Sequence, residues 1–221
     1  MNPGLTPQQR VTKRAFDIVV AGVGLVLLWP VILAAAVIAR IETGEPAIFR
    51  QVRVGRYGRH FEVLKIRTMR SDPSLDSTVT VDDDPRITRC GRVLRRTKID
   101  ELPQLLNVLR GDMSIVGPRP DVPGFHDRLE GDDRIVLSVR PGITGLAAIR
   151  FRDEERLLAA QAHPERFNRD VLFPAKVALD RAYATSYSPW VDVRIIVGTL
   201  LRCVYGDADN VGPATTDPGT R

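Results

Sequence analysis

The run Arg95-Arg96-Thr97-Lys98-Ile99-Asp100-Glu101-Leu102-Pro103-Gln104-Leu105-Leu106-Asn107-Val108-Leu109-Arg110-Gly111-Asp112-Met113-Ser114-Ile115-Val116-Gly117-Pro118-Arg119-Pro120 sets the centre of this chain. Leu102, Leu105, Leu106 and Leu109 follow i, i+3, i+4, i+7 spacing and predict a helix with an apolar stripe. The adjacent acids Asp100 and Glu101 then fall in its first turn, where the N–H groups and the helix dipole favour negative charge. Acids are common at helix starts. What distinguishes this pair is a cationic approach before it and a stiff Gly117-Pro118-Arg119-Pro120 loop after it. Together they suit an anionic ligand and predict a phosphate-handling site.

The chain has 221 residues, enough for one domain with or without a membrane element. Its formal charge is +5 and its sequence pI is 9.6, so its partner is anionic. Only four of 32 basic residues are lysines, and arginine's planar fork is the better oxyanion binder, although a GC-rich genome gives the same bias. Aromatic content is 6%, with no interleaving of rings and cations, which makes nucleic acid the weakest of the anionic candidates. Cys90 and Cys203 match no metal spacing and suggest a reducing compartment. His60, His126 and His163 form no ligand motif and are read as structural or exposed.

Ile18 to Ala39 is 22 residues without a charge. As a straight helix it reaches about 33 Å, enough to cross a bilayer. Pro30 sits in the middle, where it removes a donor and crowds the carbonyl of Val26. Cations flank both ends: Arg10, Lys13 and Arg14 before, Arg40, Arg50, Arg53, Arg56 and Arg59 after. The positive-inside rule therefore gives no preferred orientation. A hairpin kinked at Pro30 that dips into one leaflet and a bent spanning helix are both compatible with these residues.

Beyond this segment, residues 47–53 and 60–66 have strand content, and Gly55 and Gly58 join them as a hairpin. Ser71 to Pro85 reads as a polar, acidic loop. Arg89, Arg92 and Arg96 share a helix face that is either solvated or set against an anion. Arg140 to Leu146 is a turn with two glycines that either approaches a ligand or reverses the chain. Asp153 to Arg169 reads as an exposed connector, and 173–184 as helix. Val193, Ile196, Val197, Leu200, Leu201 and Val204 make an amphipathic stripe for the core or the membrane interface, with Trp190 beside it.

In order, Lys13-Arg14-x-x-Asp17, the apolar run with Pro30, Phe49-Arg50-Gln51-x-Arg53-x-Gly55 and Lys65-x-Arg67-Thr68-Met69 form a series of motifs. It continues through Asp84-Pro85-Arg86-Ile87-Thr88, Asp100-Glu101-Leu102-Pro103-Gln104-Leu105, Gly111-Asp112-Met113-Ser114, Gly117-Pro118-Arg119-Pro120 and Arg140-Pro141-Gly142-Ile143-Thr144-Gly145. The series resembles the bacterial sugar transferases, the small monotopic polyprenol-phosphate phosphoglycosyl transferases, over roughly residues 12–205. Larger relatives carry further membrane helices before this unit, so the chain resembles the minimal form. One departure is Trp29, where many relatives have Ser before the central proline.

The resemblance implies transfer of a sugar-1-phosphate from a nucleotide sugar, usually a UDP-sugar, to a polyprenol phosphate of the undecaprenyl type. It implies Asp100 as nucleophile and Glu101 as ligand of Mg²⁺, and a start of exopolysaccharide, lipopolysaccharide or glycoprotein glycan synthesis. Matching the motifs, Lys65 and Arg95 neutralise the diphosphate or leaving group, while Arg119, with Gly117, Pro118 and Arg67, binds substrate. The resemblance favours the re-entrant hairpin, with the catalytic domain on the cytoplasmic side of the bacterial inner membrane. The expected fold is α+β and mainly α. It has a disordered start (1–11), a re-entrant helix-break-helix (12–41), a compact catalytic domain (42–205) with a small β-hairpin and amphipathic interfacial helices, and a disordered tail (206–221). Membrane lipids and downstream glycosyltransferases are the expected partners, and nucleic acid is not. The alternative is a membrane-tethered, non-catalytic scaffold of a glycan assembly complex. The sugar, the polyprenol length and the oligomeric state are not legible.

Overall fold

The computed structural model describes residues 4–71 and 84–205, with side chains through residue 201. Most of the acidic loop and the whole tail expected to be disordered lie outside the described residues. Helix α1 (Pro7–Thr43) starts sooner than the sequence suggests. Thr6 and Gln9 form a reciprocal capping box: Gln9 N–H donates to the Thr6 hydroxyl (3.2 Å) and Thr6 N–H to Gln9 Oε1 (2.8 Å). Pro7 fills the first helical position, where its missing N–H costs nothing. Residues 4–11 are therefore not a disordered leader, and Leu5 is buried in the main core. At the other end Gly44, at φ 72°, closes the helix with its N–H on the Arg40 carbonyl. Both arms expected around Pro30 are helical, and the helix runs through the proline between them. One lost N–H and one crowded carbonyl are too small a cost to end a helix of 37 residues.

Strands β1 (Ile48–Val54) and β2 (His60–Ile66) form the expected antiparallel hairpin, in register from Ile48 opposite Ile66 to Val54 opposite His60. Its turn uses left-handed Tyr57 (φ 60°) and Gly58 (φ 76°). Helix α2 (Arg89–Thr97) presents Arg89, Arg92 and Arg96 outward, and a 3-10 turn (Ile99–Glu101) leads from it to α3 (Gln104–Arg110). Strands β3 (Ser114–Val116) and β4 (Gly142–Thr144) pair in parallel. Three short helices follow, α4 (Leu146–Arg150), α5 (Glu154–Ala159) and α6 (Pro164–Phe167). A π-helical turn then leads into α7 (Phe173–Thr185), and α8 (Pro189–Tyr205) ends the described chain.

Two expectations about α3 are corrected. The acids precede it rather than occupy its first turn, because Pro103 stands at its N-cap and offers no N–H. Its inward face is Gln104, Leu105, Asn107 and Val108, whereas Leu106 and Leu109 are exposed. Asn107 explains the difference. Its side chain accepts from Leu64 N–H (3.1 Å) and donates to the Glu62 carbonyl (2.8 Å), extending the β2 ladder into the helix. The stripe on α8 is split in a similar way: Ile195 is buried, while Val193, Val197, Leu200, Leu201 and Trp190 form an exposed apolar band.

The ends of α1 are held by the same domain. Near its start Lys13 pairs with Asp192 of α8 (2.6 Å). Arg14 donates to the last carbonyls of α3, Val108 (2.5 Å) and Leu109 (2.9 Å). Asp17 accepts from the Ser114 hydroxyl (2.9 Å) and Ile115 N–H (3.0 Å). Near its end Ala35 and Ala39 pack on Ile66 and Leu94, and the Glu42 carboxylate accepts from the Cys90 N–H at 3.2 and 3.3 Å. No residue from 22 to 34 is buried, and Val26, Leu27, Trp29 and Leu33 are exposed. Within that stretch Leu25 packs against the main core and Gly24 faces Leu105, so the part clear of the domain, 26–34, rises only about 14 Å, short of the roughly 30 Å of a hydrocarbon core.

Candidate active site

Three segments meet at Glu101: its own 3-10 turn, β2 and the loop after β3. Its Oε1 accepts from Lys65 Nζ of β2 (3.1 Å) and from Arg119 Nη2 of the loop after β3 (2.8 Å). Arg119 Nη1 lies 3.4 Å from the second oxygen. Burial works against the Glu101 charge, but Arg119, Lys65 and Lys98 outweigh it and hold the carboxyl well below its ordinary range. Glu101 in turn raises Arg119, while burial pulls the Lys65 ammonium down against the attraction of Glu101.

Asp100 is set in the opposite way. It is buried, its Oδ1 has no hydrogen-bond partner, and burial followed by the neighbouring Glu101 charge pushes it up to about 6. Lys65, Lys98 and Arg95 pull against that rise. Vicinal acids in environments that separate their titrations take different roles. Glu101 is the ion-paired hub, and Asp100 keeps a lone pair free for chemistry. Lys98, just ahead of them, has φ 59°, a conformation that costs a side-chain-bearing residue free energy and aims the 3-10 turn.

The loop carrying Arg119 is seated by backbone contacts. Gly117 N–H donates to the Thr144 carbonyl (2.9 Å) and Gly142 N–H to the Pro118 carbonyl (2.8 Å). A Cβ on Gly142 would strike the Gly117 nitrogen, and one on Gly117 the Arg140 carbonyl. The two-glycine turn therefore approaches the backbone of the Gly117–Pro120 loop. Beyond the loop, Arg53 donates to the Pro120 carbonyl (3.1 Å) and Val54 N–H to the Asp121 carbonyl (2.9 Å).

Asp100, Glu101, Lys65 and Arg119 come together; two other expected residues do not join their contacts. Arg67 pairs with Glu45 (3.0 Å), donates to the Pro46 carbonyl (2.9 Å) and covers the Phe49 ring. Arg95 is close enough to act on the Asp100 charge but gives one guanidinium nitrogen to Glu155 and the other to Met69 Sδ (3.7 Å). Sequence reasoning gave no individual role to Lys98, Glu154 or Glu155, and placed Arg53 only in a motif and among the cations flanking the apolar run. Among the described residues no three His, Cys, Asp or Glu side chains gather as a metal cluster. The second Glu101 oxygen, met only by the long 3.4 Å approach of Arg119 Nη1, nonetheless fits a magnesium ion that takes one or two carboxylates and fills its shell from substrate phosphates.

Next to the site, burial and then Asp121 push Asp180 of α7 up to about 8, against Lys176. His126 is buried as well, with its Nδ1 3.3 Å from Asp121. The native state holds the Asp180 proton far above the unfolded pKa. Between about pH 4 and 8 it therefore binds more protons than the unfolded chain, and stability falls as pH rises through that window. Asp180→Asn should gain about 2 kcal/mol or more over the parent at pH 8 and much less at pH 5. Thermal unfolding in detergent at both pH values checks this; an equal shift at the two would contradict it.

The bacterial sugar transferase family matches residues 8–206. The chain is 38% identical over 192 residues to the UDP-glucose:undecaprenyl-phosphate glucose-1-phosphate transferase of Caulobacter vibrioides, covering 85% of this chain and 68% of that protein. It is 39% identical over 199 residues to the exopolysaccharide production protein PSS of Rhizobium leguminosarum bv. phaseoli, covering 86% and 94%. An Escherichia coli UDP-glucose:undecaprenyl-phosphate glucose-1-phosphate transferase is 38% identical over 205 residues, covering 90% of this chain but 41% of that protein.

Proposed function

The chain belongs to the bacterial sugar transferase family, and from that premise we propose that it moves a sugar-1-phosphate from a UDP-sugar to undecaprenyl phosphate, starting a surface polysaccharide. The observation that carries the reading is the unpartnered, buried Asp100 Oδ1 beside a Glu101 already matched by Lys65 and Arg119. Asp100 attacks the sugar-bearing phosphorus, and the bond between that phosphorus and the bridging oxygen breaks, releasing UMP. An oxygen of the polyprenol phosphate then attacks the acyl phosphate, forms the lipid-linked diphosphate sugar and frees the Asp100 carboxylate. Splitting one displacement into two lets a single anionic site serve both substrates in turn. Arg119 and Lys65 hold phosphate oxygens and offset charge on the leaving group, the main task in phosphoryl transfer. Glu101 would hold the magnesium ion, which when bound supplies charge neutralisation at the diphosphate.

Because both flanks of α1 are tied to one domain, both lie on the same side of the membrane, and the exposed apolar stretch between them is seated in the near leaflet. The exposed band of α8 offers a second apolar contact with the lipid. That side is the cytoplasmic one, where nucleotide sugars are made. Sealed inside-out inner-membrane vesicles given Mg²⁺, undecaprenyl phosphate and a panel of UDP-sugars should release UMP with one donor. Right-side-out vesicles should stay silent until permeabilised. Silence with every donor contradicts the activity, and release only from right-side-out vesicles contradicts the orientation.

A further inference from the structure

Among the cations near the acid pair, Lys65 and Arg119 share Glu101, whereas Arg95 takes its anion from a short helix. Glu155 of α5 takes an Arg95 guanidinium nitrogen, and Glu154 takes Lys176 Nζ (2.6 Å). Glu154 also adds to the rise that Glu101 imposes on Arg119, and it pulls against the burial that lowers Arg53. Leu158 is the buried apolar anchor of this helix, which carries both acids in its first turn. The segment expected to be an exposed connector therefore joins α2 to α7 across the site. The Glu155 side chain is 40% exposed, whereas Arg95 is 21% exposed, so the carboxylate reaches in from the solvent side. A guanidinium binds a phosphate at least as well as a carboxylate, and in the same forked geometry.

We propose that Glu155, with Glu154 behind it, is an internal counter-ion for the phosphate-binding cations, which the donor's diphosphate must displace. Glu155 then limits donor affinity through Arg95 and acts as a positioning residue. This rests on the function proposed above. A purely structural ion pair makes the opposite forecast, since breaking it would loosen Arg95 and weaken binding.

The test titrates the full chain in detergent with Mg²⁺ and either UDP or inorganic pyrophosphate. Glu155→Gln should bind both about five- to tenfold more tightly than the parent. Glu155→Asp, which keeps the charge, should stay within about twofold. The gain should vanish when Glu155→Gln is combined with Arg95→Gln. In turnover, the KM for the UDP-sugar should fall while the KM for polyprenol phosphate holds. If a folded Glu155→Gln protein binds UDP equally or less well while the parent still releases UMP, the counter-ion proposal fails alone. If neither protein binds UDP and the parent releases no UMP, the functional reading fails and takes this proposal with it.

Discussion

Asp100→Asn should reduce UMP release at least about 10⁴-fold, the scale of losing a covalent nucleophile. The amide is nearly isosteric, so the 3-10 turn and the pairs of Lys65 and Arg119 with Glu101 should persist, and UDP should still bind. Loss of turnover with binding retained assigns Asp100 to bond formation. Glu101→Gln should behave differently. It removes the carboxylate that would hold magnesium, so both donor binding and turnover should drop. Single-turnover UMP release beside a UDP titration separates the cases. Near-normal release from a folded Asp100→Asn protein would remove the nucleophile from the account.

Lys13→Met should destabilise the protein by about 3–5 kcal/mol, as breaking a buried ion pair from one side does. Lys13 lies 2.6 Å from Asp192, and both side chains are almost fully buried. Tyr183 donates its hydroxyl to the other Asp192 oxygen (2.7 Å), and the Lys13 ammonium lies over the Tyr183 and Tyr187 rings. Burial already raises Asp192, against the pull of Lys13, so removing the lysine leaves a carboxylate with one hydroxyl for company. The consequence reaches function because this pair docks the start of α1 on α8. Pairing Lys13→Met with Asp192→Leu should recover much of the loss, since no uncompensated charge is then buried. Urea unfolding in detergent, followed by tryptophan fluorescence, gives the comparison. Equal stability of Lys13→Met and the parent would show that the pair is dispensable.

Much of this architecture is legible because local chemistry writes it. The hairpin follows from two β-rich runs and glycines in the turn, and the anchors of α1 fall on the Lys13-Arg14-x-x-Asp17 motif. Gly117, Gly142 and Gly145 signal close backbone approach, although not whether ligand or chain makes it. Contacts distant in sequence are harder to read. Strands β3 and β4 have three residues each and exist only because they pair with one another. Arg95 finds Glu155 sixty residues away. Arg67 finds Glu45 across the base of the hairpin, where motif position alone suggested substrate. The leucine spacing of α3 misplaced its inward face because a buried amide, Asn107, was worth more to the adjoining strand than a leucine. Lys98 carried no signal at all, since lysine is an ordinary choice everywhere except at a positive φ.

The most direct test is mass spectrometry of the enzyme quenched in acid after mixing with Mg²⁺ and its UDP-sugar, without polyprenol phosphate. Tryptic peptide 99–110 should gain the mass of one phosphosugar, located on Asp100, and adding the lipid phosphate before the quench should remove it. Turnover that proceeds with this peptide unmodified, or with the adduct on another residue, would contradict the account.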